Sequence, residues 1–182
     1  MQKTDLKGIS YNIYLIGFMG CGKSTVSRCF CKEYGMEQLE MDQQIEKEEG
    51  CTIPEIFARK GENHFRSLET GLLKRLCLKD NLIVSCGGGT AMRECNVQEM
   101  KKNGIIVLLK ASPETVYARV KDTHSRPLLE GNMNVEYIRT LMEARRPKYE
   151  EAADISVDTD GRGVSEICRE IMNKIESRDY NE

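Results

Sequence analysis

A chain of 182 residues with 27 Lys and Arg, 29 Asp and Glu, 40% hydrophobic side chains and only 4 prolines can bury its own core, and its ordinary composition excludes collagen-like, low-complexity and wholly disordered classes. The formal net charge of −2 provides no polyanion-binding field, so no nucleic acid partner is expected. The longest apolar stretch, residues 104–109, falls far short of the ~20 residues of a membrane span, and the opening MQKTDLKGIS lacks the layout of a secretory signal; no membrane partner is expected, and the expectation is a cytoplasmic monomer.

In chain order, residues 10–16 are rich in Ile, Tyr and Leu and run into Gly17, which predicts a buried strand followed by a tight turn. Residues 23–34 carry a helical pattern that Gly35 can terminate. Further strands are predicted at 38–41, 82–84, 105–109 and 155–157. Helices are predicted at 54–60, 62–79, 96–102, 113–121, 134–145 and 164–177. Two of these starts carry local signals: Thr52-Ile-Pro-Glu55 combines a capping box with proline in the first turn, and Ser112-Pro113 pairs a capping hydroxyl with proline at the first helical position. Alternation of strands and helices implies crossover connections and a parallel sheet covered on both faces. Residues 122–133 are polar and broken by proline and glycine, so they are expected to form a long loop and a mobile lid. The eight cysteines are scattered without a CxxC pair, and only two histidines accompany them; neither a zinc site nor a disulfide framework is expected.

The run Gly17-Phe-Met-Gly20-Cys21-Gly22-Lys23-Ser24-Thr25 fits G-x-x-x-x-G-K-[ST] between a predicted strand and a predicted helix. Its glycines allow backbone N–H groups to turn inward around phosphate oxygens, and the helix N-terminus adds partial positive charge. Lys23 is expected to reach the β- and γ-phosphates of ATP, and the Ser24 hydroxyl to ligate Mg²⁺. Gly20, Cys21 and Gly22 shape the cradle, and Thr25 packs or caps. The pattern points to nucleoside triphosphate binding and leaves the phosphate acceptor open.

A kinase of small molecules also needs an acceptor side: a group that positions the hydroxyl, cations for an anionic acceptor, and a means of excluding water. Asp42 closes Leu39-Glu40-Met41-Asp42 at the carboxyl end of a predicted strand, where α/β sheets bind ligands. It is a candidate proton acceptor, and it could equally cap a helix beginning at Gln43. Glu40, two residues back, shares its strand face and points toward the metal side. Arg66 stands four residues after Glu62 and three before Glu69, so an exposed ladder of ion pairs is one reading and an acceptor clamp another. Gly87-Gly88-Gly89 gives up conformational entropy unless its backbone approaches something closely. Arg126 lies in the expected lid. Arg145 and Arg146 precede Pro147, a residue that kinks or stops helices, and a planar guanidinium suits a carboxylate bidentately.

Taken together, these residues resemble the shikimate kinase family over nearly the whole chain. The shared features are Gly17–Thr25, Met41-Asp42, Ile56-Phe57, Gly61-Glu62, Phe65-Arg66-x-x-Glu69, the triple glycine, Arg126-Pro-Leu-Leu and Arg145-x-Pro-x-Tyr149. The resemblance implies an α/β fold of the nucleoside monophosphate kinase type: a P-loop three-layer αβα arrangement with a mainly parallel five-stranded sheet. All 182 residues would form one domain, with an acceptor-binding region near 40–70 and a lid near 122–133. It implies transfer of the ATP γ-phosphoryl group to the 3-hydroxyl of shikimate on the way to chorismate and aromatic amino acids. By motif position, Asp42 would hold the ring hydroxyls and is the candidate to accept the reacting proton, and Arg66 and Arg145 would grip the carboxylate. Gly87, Gly88 and Gly89 would line the acceptor, the last two through their N–H groups. Phe57 would wall the pocket, Arg119 would lie against adenine, and Arg126 would come down over the phosphates. The chain departs from the family where Glu40-Met41-Asp42 replaces the common D-x-D, where Val84-Ser85-Cys86 precedes the glycines, and where Cys21 stands in place of serine or alanine. Two other readings remain at this point: another small P-loop kinase, such as one acting on gluconate, and a nucleotide-binding module without transfer activity. No guanine-reading N-K-x-D motif is apparent.

Overall fold

The computed structural model describes residues 10–121 and 134–179; the expected lid, with Arg126, lies outside them. Five strands, β1 (Asn12–Ile16), β2 (Glu37–Glu40), β3 (Leu82–Ser85), β4 (Gly104–Lys110) and β5 (Ile155–Asp158), form one sheet in the order β2-β3-β1-β4-β5. Every pairing is parallel, so the sheet is wholly rather than mainly parallel. The helices are α1 (Lys23–Tyr34), α2 (Met41–Glu49), α3 (Ile53–Lys60), α4 (Glu62–Leu76), α5 (Glu94–Lys101), α6 (Pro113–Val120), α7 (Val135–Ala152) and α8 (Val164–Asp179).

The period-two alternation of β1 builds both cores. Tyr14 and Ile16 face one way, onto α2, α3 and α4, and join Val84, Ile106 and Leu108 in one buried cluster. Ile13 and Leu15 face the other way and join Ile83, Val107 and Val157 against α1 and α8. The buried Asn12 ties the sheet's amino end to α4: its side-chain amide donates to the carbonyls of Leu76 and Lys79, and its oxygen accepts from the Leu82 N–H. Because all strands run the same way, their carboxyl ends share one rim, and the turns and helix starts leaving that rim supply the side chains of a site.

Two expectations are corrected. The strand predicted to reach Met41 ends at Glu40, and helix α2 starts at once, so Asp42 sits inside its first turn and does not cap it. The helix predicted to stop at Arg145 continues through Pro147 to Ala152. Pro147 removes one helical donor, a cost of ~3 kcal/mol in a free helix; burial of Tyr149 and Ala152 beyond it anchors the last turn in the core. The capping box at Thr52 and Glu55 and the Ser112 cap form as the sequence predicts. No described helix is long and apolar enough to cross a membrane, and all eight cysteines are free.

Candidate active site

The link from β1 to α1 is a turn of left-handed glycines: Gly17 has φ 135°, Gly20 φ 75° and Gly22, the residue before α1, φ 105°. At Gly17 space matters as well, because a Cβ would stand 2.5 Å from the Leu109 carbonyl oxygen. The Thr25 and Val26 N–H groups bond back to the Gly22 carbonyl. The Lys23 ammonium donates to the carbonyls of Gly17 (2.8 Å) and Phe18 (2.9 Å), arching over its own loop. Arg119 of α6 steadies the other side of the loop. It donates to the Gly20 carbonyl at 3.1 Å and to the Thr159 carbonyl at 3.3 Å, while the Thr159 hydroxyl donates to the Cys21 carbonyl at 3.2 Å. The loop opens on a cavity of about 430 Å³ that also meets Glu40, Asp42, Gly87, Gly88 and Arg162.

Beside the loop the Ser24 hydroxyl donates to Glu40 Oε2 at 2.8 Å. Ser24, Glu40 and Asp42 bring hard oxygen donors to this one cavity. Among the described residues no group of three His, Cys, Asp or Glu could hold a metal ion by itself. That donor set fits Mg²⁺, which takes one or two protein oxygens and completes its shell with phosphate and water.

The triple glycine follows β3 and turns into a short 3-10 segment, Thr90–Met92. None of the three has positive φ; close approach is what favours glycine at Gly87 and Gly89. A Cβ on Gly87 would stand 2.8 Å from Asp42 Oδ1 and 3.2 Å from Glu69 Oε1, and one on Gly89 would stand 2.5 Å from Arg66 Nη1. At Gly88 the nearest atoms, all 3.9 Å away, are Arg145 Nη1, the Gly17 carbonyl oxygen and the Met19 nitrogen. This backbone therefore runs between the phosphate loop on one side and the two arginines on the other.

Arg66 forms both ion pairs that its spacing offers, but only the Glu62 end is exposed and the Glu69 end is buried. Its Nε and Nη2 donate to Glu62 Oε1 (3.1 and 2.8 Å), and its Nη1 donates to Glu69 Oε2 at 2.8 Å. Glu69 is 1% exposed and also accepts the Thr90 hydroxyl at 2.7 Å. Burial opposes the charge on Arg66, but its hydrogen bonds to the Glu69 and Glu62 carboxylates outweigh that and push the guanidinium pKa up. Arg145 lies one turn before Tyr149 on α7, with its guanidinium carbon 5.8 Å from the centre of the Phe18 ring. The Tyr149 hydroxyl donates to the Gly88 carbonyl at 2.5 Å. Burial, only partly countered by Arg145, pushes the Tyr149 pKa up to about 12, so the phenol keeps its proton at neutral pH. Arg66, Arg145 and Gly89 line a second cavity of about 470 Å³ together with Glu62, Ser67 and Arg93.

The structure thus brings Lys23, Ser24, Asp42, Arg66, Arg145 and the triple glycine around two adjoining cavities. Gly20, Cys21, Gly22, Thr25 and Arg119 line the first. Phe57 lines neither; it is half-buried against the Phe65 ring, centre to centre 5.0 Å. Burial pushes the Cys86 thiol beneath the site far up, which leaves it a packing residue. Sequence reasoning gave no site role to Glu69, Thr90, Tyr149, Arg93, Thr159 or Arg162. The spacings Arg66-x-x-Glu69 and Arg145-x-x-x-Tyr149 could have signalled two of them, whereas Thr159 and Arg162 follow β5 with no local signature.

A family model described as shikimate kinase matches residues 19–176. The shikimate kinase of Persephonella marina is 43% identical over 164 residues, 90% of this chain and 98% of its own. Among solved structures, shikimate kinase from Acinetobacter baumannii in complex with shikimate superposes with a TM-score of 0.85 at 35% identity, covering 92% of this chain and 94% of its own. A gluconokinase from Sinorhizobium meliloti superposes with a TM-score of 0.60 at 16% identity, covering 96% of this chain and 97% of its own; that likeness is one of fold alone.

Proposed function

The chain belongs to the shikimate kinase family, and from that premise we propose how its residues transfer the γ-phosphoryl group of ATP to the 3-hydroxyl of shikimate. Such a transfer asks a protein for positioning and charge stabilisation more than for covalent chemistry. The observation that carries the reading is the pair of adjoining cavities. One is lined by the phosphate loop, Asp42 and Gly88; the other is lined by Arg66, Arg145 and Gly89, the next residue of the same turn.

In this reading the loop N–H groups and the α1 N-terminus hold the phosphates, and Lys23 exchanges its carbonyl partners for β- and γ-oxygens. Arg119 faces the adenine. Ser24, backed by Glu40, would hold Mg²⁺. That ion, when bound, supplies charge stabilisation of the phosphate oxygens. Arg66 and Arg145 grip the acceptor's carboxylate, and the N–H groups of Gly88 and Gly89 face its ring. Asp42 accepts the hydrogen bond of the reacting hydroxyl and then its proton, orienting the oxygen toward the γ-phosphorus. Arg126, outside the described residues, is assigned to the phosphates by motif position alone.

The test is ADP release in a coupled assay with shikimate, with gluconate and with no acceptor. Shikimate-dependent turnover is the expected result. Turnover on gluconate alone would assign a different small-molecule kinase, and ATP binding without turnover on either acid would assign a nucleotide-binding module.

A further inference from the structure

Behind Glu40, on the metal side of the site, lie two polar side chains, Ser27 and Gln38, to which the phosphoryl transfer gives no role. Ser27, on the second turn of α1, is 0% exposed although its side chain is a hydroxyl. That hydroxyl lies 2.9 Å from Glu40 Oε1, to which it donates, and 3.1 Å from the Ser24 carbonyl. Gln38, two residues before Glu40 on β2, donates its amide to the same Glu40 Oε1 at 2.9 Å and to Ser27 Oγ at 2.9 Å. One carboxylate oxygen is therefore held by an amide and a buried hydroxyl, and the other takes the proton of Ser24 at 2.8 Å.

A serine hydroxyl serves a hard cation through its lone pairs, so its proton must be directed elsewhere. Glu40 receives it. A glutamate reaches one methylene further than the aspartate common at this position in the family, and it has one more torsion to fix. Resting on the assignment of Mg²⁺ to Ser24, we infer that Ser27 and Gln38 are positioning residues for the metal side. They pin Glu40 Oε1, so that Oε2 stays on the Ser24 proton and the Ser24 lone pairs face the cradle. The longer acidic side chain and its two anchors form one unit, with Ser27 from α1 and Gln38 from β2.

The inference is tested by ADP affinity, measured calorimetrically in excess EDTA and across a Mg²⁺ series, for the wild type, Ser27→Ala and Gln38→Leu. Loss of partners around a metal ligand typically costs 10- to 100-fold in metal affinity. The Mg²⁺ concentration giving half of the enhancement is expected to rise by about that factor in each variant, with ADP affinity in EDTA unchanged. Gln38 is half-buried at a strand edge, so Gln38→Leu carries the test should Ser27→Ala fold poorly. An unshifted Mg²⁺ midpoint in a folded variant would overturn the inference, as would an equal loss of ADP affinity with and without Mg²⁺. A wild-type protein indifferent to Mg²⁺ would overturn the metal reading itself and this inference with it, whereas a normal wild-type response with unshifted variants would overturn this inference alone.

Discussion

The nucleotide cradle and the acceptor cavity adjoin at Gly88, yet they are made differently. The cradle comes from one short run, Gly17 to Thr25, whose glycines lead into a helix start, and in the proposed reading it works mainly through backbone N–H groups. The acceptor cavity is assembled from side chains on α4 and α7 and from the turn after β3. Its two arginines are held from their own helices and from outside them: Arg66 by Glu69, which itself accepts the Thr90 hydroxyl, and Arg145 beside Tyr149 and over the Phe18 ring. A site of the first kind is specified locally. One of the second kind depends on several helices packing correctly at once, and its failures should be separable from failures of nucleotide binding.

The largest effect should come from the group that serves both sides. Asp42→Asn keeps the shape and removes the proton acceptor, so kcat should fall by about 10²- to 10⁴-fold; wild-type turnover would remove Asp42 from that role. Next comes the acceptor side alone. Gly89→Ala drives a methyl into the Arg66 guanidinium, and overpacking of this kind costs ~1–3 kcal/mol. Shikimate KM should rise by about tenfold or more while ATP affinity holds, and a matching loss of ATP affinity would blur the separation between the two regions.

The third effect is on stability and is seen only in alkali. The Tyr14 and Tyr149 phenols both have pKa values pushed up to about 12 by burial. An unfolded tyrosine ionises near 10, so between pH 10 and 12 the unfolded chain loses these protons while the folded chain keeps them. Stability then falls as pH rises through that window, by ~2–3 kcal/mol for each phenol. Denaturant titrations should show a shallower decline for Tyr149→Phe than for the wild type, and parallel curves would deny that this phenol is buried with its proton.

The same contrast explains how much of the molecule is legible in its sequence. The phosphate loop is legible because its conformation requires glycine at set positions, and the sheet is legible because its central strands are continuous apolar runs alternating with helices. Arg66, Arg145 and the triple glycine can be named as candidates, but their convergence cannot be read locally, since each is an ordinary helix or turn residue until α4 and α7 pack. Pro147 shows the limit from the other side: a local rule ends the helix, and tertiary burial of Tyr149 and Ala152 overrides it. Glu69 stays hidden because a glutamate three residues from an arginine reads as surface decoration until its 1% exposure is known.

The central claim is that the acceptor's carboxylate sits between Arg66 and Arg145, across the glycines from the phosphates. Calorimetric titration of wild type and Arg145→Ala with shikimate and with its carboxamide tests it directly. The wild type is expected to prefer the acid by about 10-fold or more, since a charge-assisted hydrogen bond of ~1.5–3 kcal/mol is at stake, and Arg145→Ala is expected to lose most of that preference while binding ATP normally. Full preference for the acid in Arg145→Ala would contradict the claim.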